Sequence, residues 1–295
     1  MNDIQKHKSF ELDNTLRVIT TENNLLKLII TNEHCEAEIY LHGGHLTHYQ
    51  PKGEKALIFN AKESKITPPK SVHAGIPICW PWFGPHPSDQ DKPQHGFARD
   101  SVWEIKSTKR LPSQETEIIL TLQDSPYSRI LFDFSFELEL TFRLGTACSV
   151  SLKTINTDKK SFTITQALHS YFAISDLRNI KIEGVRETPF IDYTDEKREK
   201  TESLALSIDR ETNRVYIPTV KSCIIHDSGL KRKIVVTKEG SNSTTIWNPW
   251  RENKIHDLPD ESYRRFVCIE STNALEDKVI LAPDKTHTIT QIITL

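Results

Sequence analysis

Chemistry-bearing side chains are densest in residues 73–105, HAGIPICWPWFGPHPSDQDKPQHGFARDSVWEI. There Trp80, Trp82, Phe83, Phe97 and Trp103 alternate with prolines, glycines, His73, His95 and Arg99. Aromatic faces stack on the apolar C–H faces of sugar rings while imidazole, guanidinium and carboxylate groups bond hydroxyls, so this composition suits carbohydrate binding. The competing reading is a proline-stiffened loop whose aromatics fill the core. Glu270 is a second candidate: it ends the apolar stretch RRFVCIE (264–270) on the parity of Phe266 and Cys268, which carries a carboxylate toward a buried face. A third is LHGGHLTHY (41–49), where His42, His45 and His48, with His34, could hold a metal if the segment were helical. Gly43, Gly44 and the flanking strand signals favour a strand-to-turn passage instead.

The elements that must position these residues read as strands. Residues 25–30, 35–41, 117–122, 149–155, 161–168, 214–217, 221–226, 233–237, 243–248, 264–270 and 286–295 are short, apolar-rich and bounded by polar turns. The clearest is FSFELELTF (134–142), which puts Phe134, Phe136, Leu138, Leu140 and Phe142 on one face and Ser135, Glu137, Glu139 and Thr141 on the other, the alternation of a half-buried antiparallel strand. No long helical period competes. Many short strands without interleaved helices point to an all-β sandwich or barrel. Residues 68–99 read as a loop that carries function, and the charged run 192–202 as a solvated loop.

The bulk numbers narrow the function. A chain of 295 residues with 37% hydrophobic content can bury one large core, and a formal charge of −2 gives no positive field for nucleic acid or an anionic membrane. The start MNDIQKHKSFELDN has no apolar stretch behind a basic region, so the expected setting is cytoplasmic. Cys35, Cys79, Cys148, Cys223 and Cys268 are scattered in apolar surroundings, as reduced core thiols are.

Six segments in order carry a specific likeness: IPICWPWFG (76–84), HGFAR (95–99), ALHSYF (167–172), NRVY (213–216), WNPW (247–250) and VCIES (267–271). Together they resemble the hexose-6-phosphate 1-epimerase branch of the aldose 1-epimerase (galactose mutarotase) superfamily. The resemblance implies a single-domain β-supersandwich, mostly antiparallel, over residues 25–295, with 1–24 as a polar extension packed on it. It also implies catalysis without metal or nucleotide cofactor, by a monomer whose partner is a small sugar or sugar phosphate.

By the same resemblance His169 is the general acid, Glu270 the general base and His95 a second histidine against the sugar. Arg99 and Asp176 fall at binding positions, and Arg99 is a candidate phosphate ligand. Trp80 is a candidate sugar contact. Anomer exchange needs a base for the C1 hydroxyl proton and an acid for the ring oxygen, each worth on the order of 10²–10⁴-fold. A carboxylate beside the histidine is expected to raise its pKa. The chain departs from the branch twice: His73 stands where relatives have an arginine, without the permanent charge and bidentate fork of guanidinium, and Asn213 stands where they have an aspartate. The alternatives are a mutarotase of an unphosphorylated aldose and a non-catalytic carbohydrate-binding protein.

Overall fold

The computed structural model describes residues 6–60, 72–219, 222–251, 255 and 257–295. Residues 68–71 of the expected functional loop, residue 221 of one expected strand and residues 1–5 lie outside these. Two eight-stranded antiparallel sheets share one hydrophobic core. The first runs Ile180–Glu183, Cys223–Asp227, Arg232–Glu239, Thr286–Thr294, Cys148–Asn156, Phe136–Leu144, Thr116–Gln123, Glu104–Arg110. The second runs Arg198–Thr201, Pro189–Asp192, Thr212–Tyr216, Ser243–Asn248, Phe266–Asn273, Gln166–Leu168, Ile78–Cys79, and Tyr171–Ala173 also pairs with Phe266–Asn273. A four-stranded meander formed by Leu16–Thr20, Leu26–Thr31, Cys35–Tyr40 and His45–Pro51 flanks them. Its first strand belongs to the segment read as a polar extension and pairs along its length with Leu26–Thr31.

Alternation explains the first sheet. In Phe136–Leu144 the residues Phe136, Leu138, Leu140, Phe142 and Leu144 are buried, and each buried side chain of this kind contributes roughly 1.5–3 kcal/mol. On the opposite face Glu139 pairs with Lys106 and with Lys153, the latter at 3.2 Å. The strand starts two residues later than its pattern suggests because Phe134 leaves the ladder to pack on Phe132 and Phe162, with ring centroids 4.9 and 5.4 Å away.

The second sheet obeys a different rule. All eight residues of Phe266–Asn273 are buried, so the strand has two covered faces. Val267 and Ile269 enter the main core between the sheets, whereas Phe266 and Cys268 join Tyr171 in a separate cluster with Phe59, Trp247, Ile255 and Leu258. That second face also carries Glu270. The stretch read as one strand over 161–168 is split in two, Phe162–Ile164 and Gln166–Leu168, which pair with different partners. The run 192–202 is not loop throughout: Arg198–Thr201 forms the edge strand of the second sheet.

The register predicts an asymmetric response to truncation. Leu140→Ala, on the inter-sheet face, is expected to cost about 2–5 kcal/mol of unfolding free energy by denaturant titration, and Thr141→Ala on the other face under about 1 kcal/mol. Equal losses would contradict the assigned faces.

Candidate active site

His169 sits where the pairing along Phe266–Asn273 is interrupted. Leu168 opposes Ser271 on one side of the break and Tyr171 opposes Cys268 on the other, an unchanged register that puts His169 directly across from Glu270. Directly opposed residues of an antiparallel pair share a face with Cβ atoms roughly 4.5–5.5 Å apart. The side chains meet accordingly, His169 Nε2 lying 3.5 Å from Glu270 Oε1. Backbone of residues 75–77 holds one side of the break, His169 N–H donating to the Pro77 carbonyl (3.1 Å) and Tyr171 N–H to that of Gly75 (2.9 Å), while Ile269 N–H donates across it to the Ser170 carbonyl (3.2 Å). The imidazole lies parallel to the Tyr171 ring, centroids 4.9 Å apart at 9°, with the edges of Trp247 and His95 at 5.9 and 5.7 Å.

Both members of the pair are almost wholly withdrawn from water, His169 at 7% exposure and Glu270 at 1%. Burial dominates their ionisation. It pushes the Glu270 carboxyl well above the usual carboxylate range and, with Arg99 and His73 adding repulsion, pulls His169 down to about 3. The expectation that the carboxylate raises the histidine is therefore corrected, because loss of hydration outweighs the attraction of a neighbour that itself favours the uncharged form. Glu270 Oε2 and His169 Nδ1 have no hydrogen-bond partner among the described residues.

The pair opens into a cavity of about 450 Å³, within the roughly 300–1,000 Å³ of small-molecule sites. Its walls bring together several residues singled out in the sequence: His73, His95, Arg99 and Asn213 line it with His169 and Glu270. His95 has φ 65°, a left-handed conformation that costs energy without glycine, and the turn is tied by its N–H to the Gly84 carbonyl at 2.7 Å. The Gly84 N–H in turn donates to His95 Nδ1 at 3.1 Å, so Nε2 carries the ring proton and His95 is a neutral donor, in line with a pKa that burial holds well below 6.5. Arg99 donates from Nη2 to the Gln94 carbonyl at 2.8 Å, while its Nε has no partner among the described residues. Asn213 lies across from Trp247 in the ladder, and both reach the cavity. His73 is engaged by Asp257, its backbone N–H donating to Oδ2 at 3.0 Å and Nδ1 facing Oδ1 at 2.6 Å.

Two expected site residues are placed elsewhere. Trp80 is fully buried, donates from Nε1 to Thr154 Oγ1 at 3.1 Å and packs on Phe97, Phe132 and Phe136, so it is a core residue that anchors the loop. Asp176 caps the turn Leu177–Asn179 and is bound by Arg178 and Arg264, at 2.8 and 2.6 Å, outside the cavity lining. Among the histidines weighed as metal ligands, His45 is buried with Nε2 2.7 Å from the Ala74 carbonyl, and no three His, Cys, Asp or Glu side chains converge on a metal-sized point among the described residues. Conversely, Tyr193 and Lys197 reach the cavity wall from the charged run, with Lys197 Nζ 5.5 Å from the Tyr193 ring centre. Nothing in the spacing of that run separates these two from its solvated neighbours.

The family model for aldose 1-epimerase matches residues 27–294. The chain belongs to the aldose 1-epimerase family. It is 32% identical over 278 residues, 90% of this chain and 83% of the other, to a Cenchrus ciliaris protein provisionally named a glucose-6-phosphate 1-epimerase. An Escherichia coli protein with the same provisional name is 29% identical over 264 residues, covering 88% of this chain and 87% of that one. A solved Salmonella typhimurium structure, provisionally described as a mutarotase, superposes with TM-score 0.89 at 28% identity over 99% of this chain and 98% of that chain. This aldose 1-epimerase family member is thus an isomerase with the galactose mutarotase-like fold. No helix among its described residues is long and apolar enough to cross a membrane.

The withdrawn histidines give a spectroscopic expectation. Ring signals of His95 and His169, followed by NMR from pH 7.5 to 5.5, are expected to keep the shifts of neutral imidazole, because burial lowers both, His169 to about 3 and His95 well below 6.5. A midpoint near 6.5 for either would mean a solvated ring and contradict the geometry.

Proposed function

We propose that this protein interconverts the α and β anomers of a hexose 6-phosphate, glucose 6-phosphate foremost, by ring opening and reclosure, with Glu270 as base and His169 as acid. The observation that carries the reading is the buried Glu270–His169 pair, 3.5 Å apart, at a sugar-sized cavity. Glu270 as carboxylate takes the proton from the C1 hydroxyl while His169 as imidazolium gives one to the ring oxygen. The C1–O5 bond breaks and the open aldehyde forms. Rotation about C1–C2 and the reverse transfers close the other anomer.

The protonation pattern gives this scheme a physical logic. The pair holds one proton between its members in either arrangement, as carboxylate with imidazolium or as carboxylic acid with imidazole. The closed sugar requires the charged arrangement, and ring opening returns both groups to the uncharged forms that burial favours. Burial thus favours, in the pair's protonation, the arrangement that accompanies the open-chain intermediate. His95, a neutral donor, is suited to a sugar hydroxyl, and Trp247 and Phe83 supply aromatic surface for the ring's C–H faces.

For a phosphate group, Arg99 and Lys197 are the arginine and lysine on the cavity wall among the described residues, and the names of the relatives support a phosphorylated sugar. One observation favours a second reading, an unphosphorylated aldose: the Asp257 carboxylate beside His73 offsets the charge that this imidazole could offer an anion.

His169→Ala and Glu270→Gln are each expected to lower kcat for glucose 6-phosphate anomer exchange by about 10²–10⁴-fold with the fold intact by circular dichroism. Near-normal turnover by either would show that acid and base are wrongly chosen. Arg99→Ala and Lys197→Ala are expected to raise KM for glucose 6-phosphate by about tenfold or more and leave that for glucose unchanged. Equal effects on the two sugars would favour the unphosphorylated substrate.

A further inference from the structure

The strand Thr286–Thr294 alternates inward residues Ile289, Gln291 and Ile293, all with 0% exposure. A glutamine at the middle of an apolar inward row is costly, since each unbonded amide atom forfeits its hydration. Gln291 is nevertheless fully engaged with the opposite sheet. Its Nε2 donates to the Ile269 carbonyl at 3.2 Å and to Ser271 Oγ at 3.0 Å, and its Oε1 accepts from Ser170 Oγ. Ser170 and Ser271 are themselves buried.

The partners are the significant feature. Ile269 and Ser271 flank Glu270 in the chain, and Ser170 follows His169. Side chains alternate across a strand, so groups next to Glu270 point away from the cavity into the space between the sheets, where Gln291 meets them. One side chain of the first sheet therefore grips, from behind, both backbones that carry the buried pair. It does so at the break in pairing between Leu168 and Tyr171, where the two strands are joined by the hydrogen bond from Ile269 N–H to the Ser170 carbonyl at 3.2 Å. The neighbouring Asn273 extends this polar column, accepting from Gln166 Nε2 at 2.9 Å.

We propose that Gln291 is a positioning residue: by clamping Ser170, Ile269 and Ser271 it fixes the separation and orientation of His169 and Glu270. This rests on the acid and base roles proposed above. A proton passed between two groups and a substrate depends steeply on placement, and a shift of about 1 Å can cost on the order of 10²-fold in rate. A loosened clamp therefore acts on turnover more than on binding, because the cavity walls from Phe83, His95, Arg99 and Trp247 stay in place.

The test uses Gln291→Met, close in volume but without hydrogen bonds, together with Ser170→Ala and Ser271→Ala, assayed for glucose 6-phosphate anomer exchange well below each variant's melting temperature. Gln291→Met is expected to lower kcat by about 10–100-fold with KM within about threefold of wild type. Placed on a Ser170→Ala/Ser271→Ala background it is expected to lower kcat less than it does in the wild type, since only the bond to the Ile269 carbonyl remains to be lost. A kcat equal to wild type alongside a lowered melting temperature would reduce Gln291 to a stabilising role and overturn the inference, with the roles of His169 and Glu270 untouched. Should Gln291→Met fail to fold, the two serine variants decide: unchanged kcat in both overturns the inference, and a selective loss of kcat in either supports it. A wild-type enzyme that leaves both glucose 6-phosphate and glucose at their spontaneous exchange rates would remove the acid–base reading itself.

Discussion

The structure depends on keeping a carboxyl group and an imidazole, 3.5 Å apart, almost wholly out of water. Each is costly to bury in charged form, and burial drives both toward their uncharged forms, the carboxyl upward in pKa and the imidazole downward. The requirement explains why Phe266–Asn273 is covered on both faces when most strands of the first sheet alternate. One face must complete the core against Ile289 and Ile293, and the other must present Glu270 in a dry setting next to Cys268 and Tyr171.

The surrounding elements are arranged for this purpose. The loop carrying His95 and Arg99 is anchored by Trp80, whose indole is pinned to Thr154 in the core, and Gly96 accepts a φ of 76° where a Cβ would fall 1.9 Å from the Trp80 carbonyl oxygen. Rigid aromatic packing beneath the loop lets a strained His95 hold its ring in one tautomer. Behind the pair, hydrogen bonds between the sheets take over from apolar packing, a local departure from core chemistry at the point where placement counts most.

Much of this was legible in the sequence because two codes coincide there. The period-2 alternation of residues 134–142 marks a half-buried strand, and parity alone places Glu270 with Phe266 and Cys268 on the cavity side. The six ordered segments locate His169 and its surroundings. The failures have physical causes. Trp80 shares its composition with the site, but a tryptophan in a Pro-rich loop serves equally well as an anchor, and only the fold distinguishes the two. Asp176 has the residue type of a ligand yet spends its charge on Arg178 and Arg264, which lies 88 positions away in the chain. Lys197 and Tyr193 were hidden because a charged run carries no mark of which members an edge hairpin will turn inward. For the His169 pKa, the resemblance supplies the neighbouring carboxylate but not how completely the fold withdraws the imidazole from water, and that loss of hydration decides the shift.

The most direct measurement is the pH dependence of kcat for α-to-β exchange, followed by magnetisation transfer between the two anomers. Burial moves both groups away from their ordinary values, His169 down to about 3 and Glu270 upward, which predicts a kcat without a histidine-like inflection between pH 7.5 and 5.5. A tenfold change in kcat with an inflection near pH 6.5, abolished by His169→Ala, would show an ordinary solvated histidine at work and contradict the buried pair.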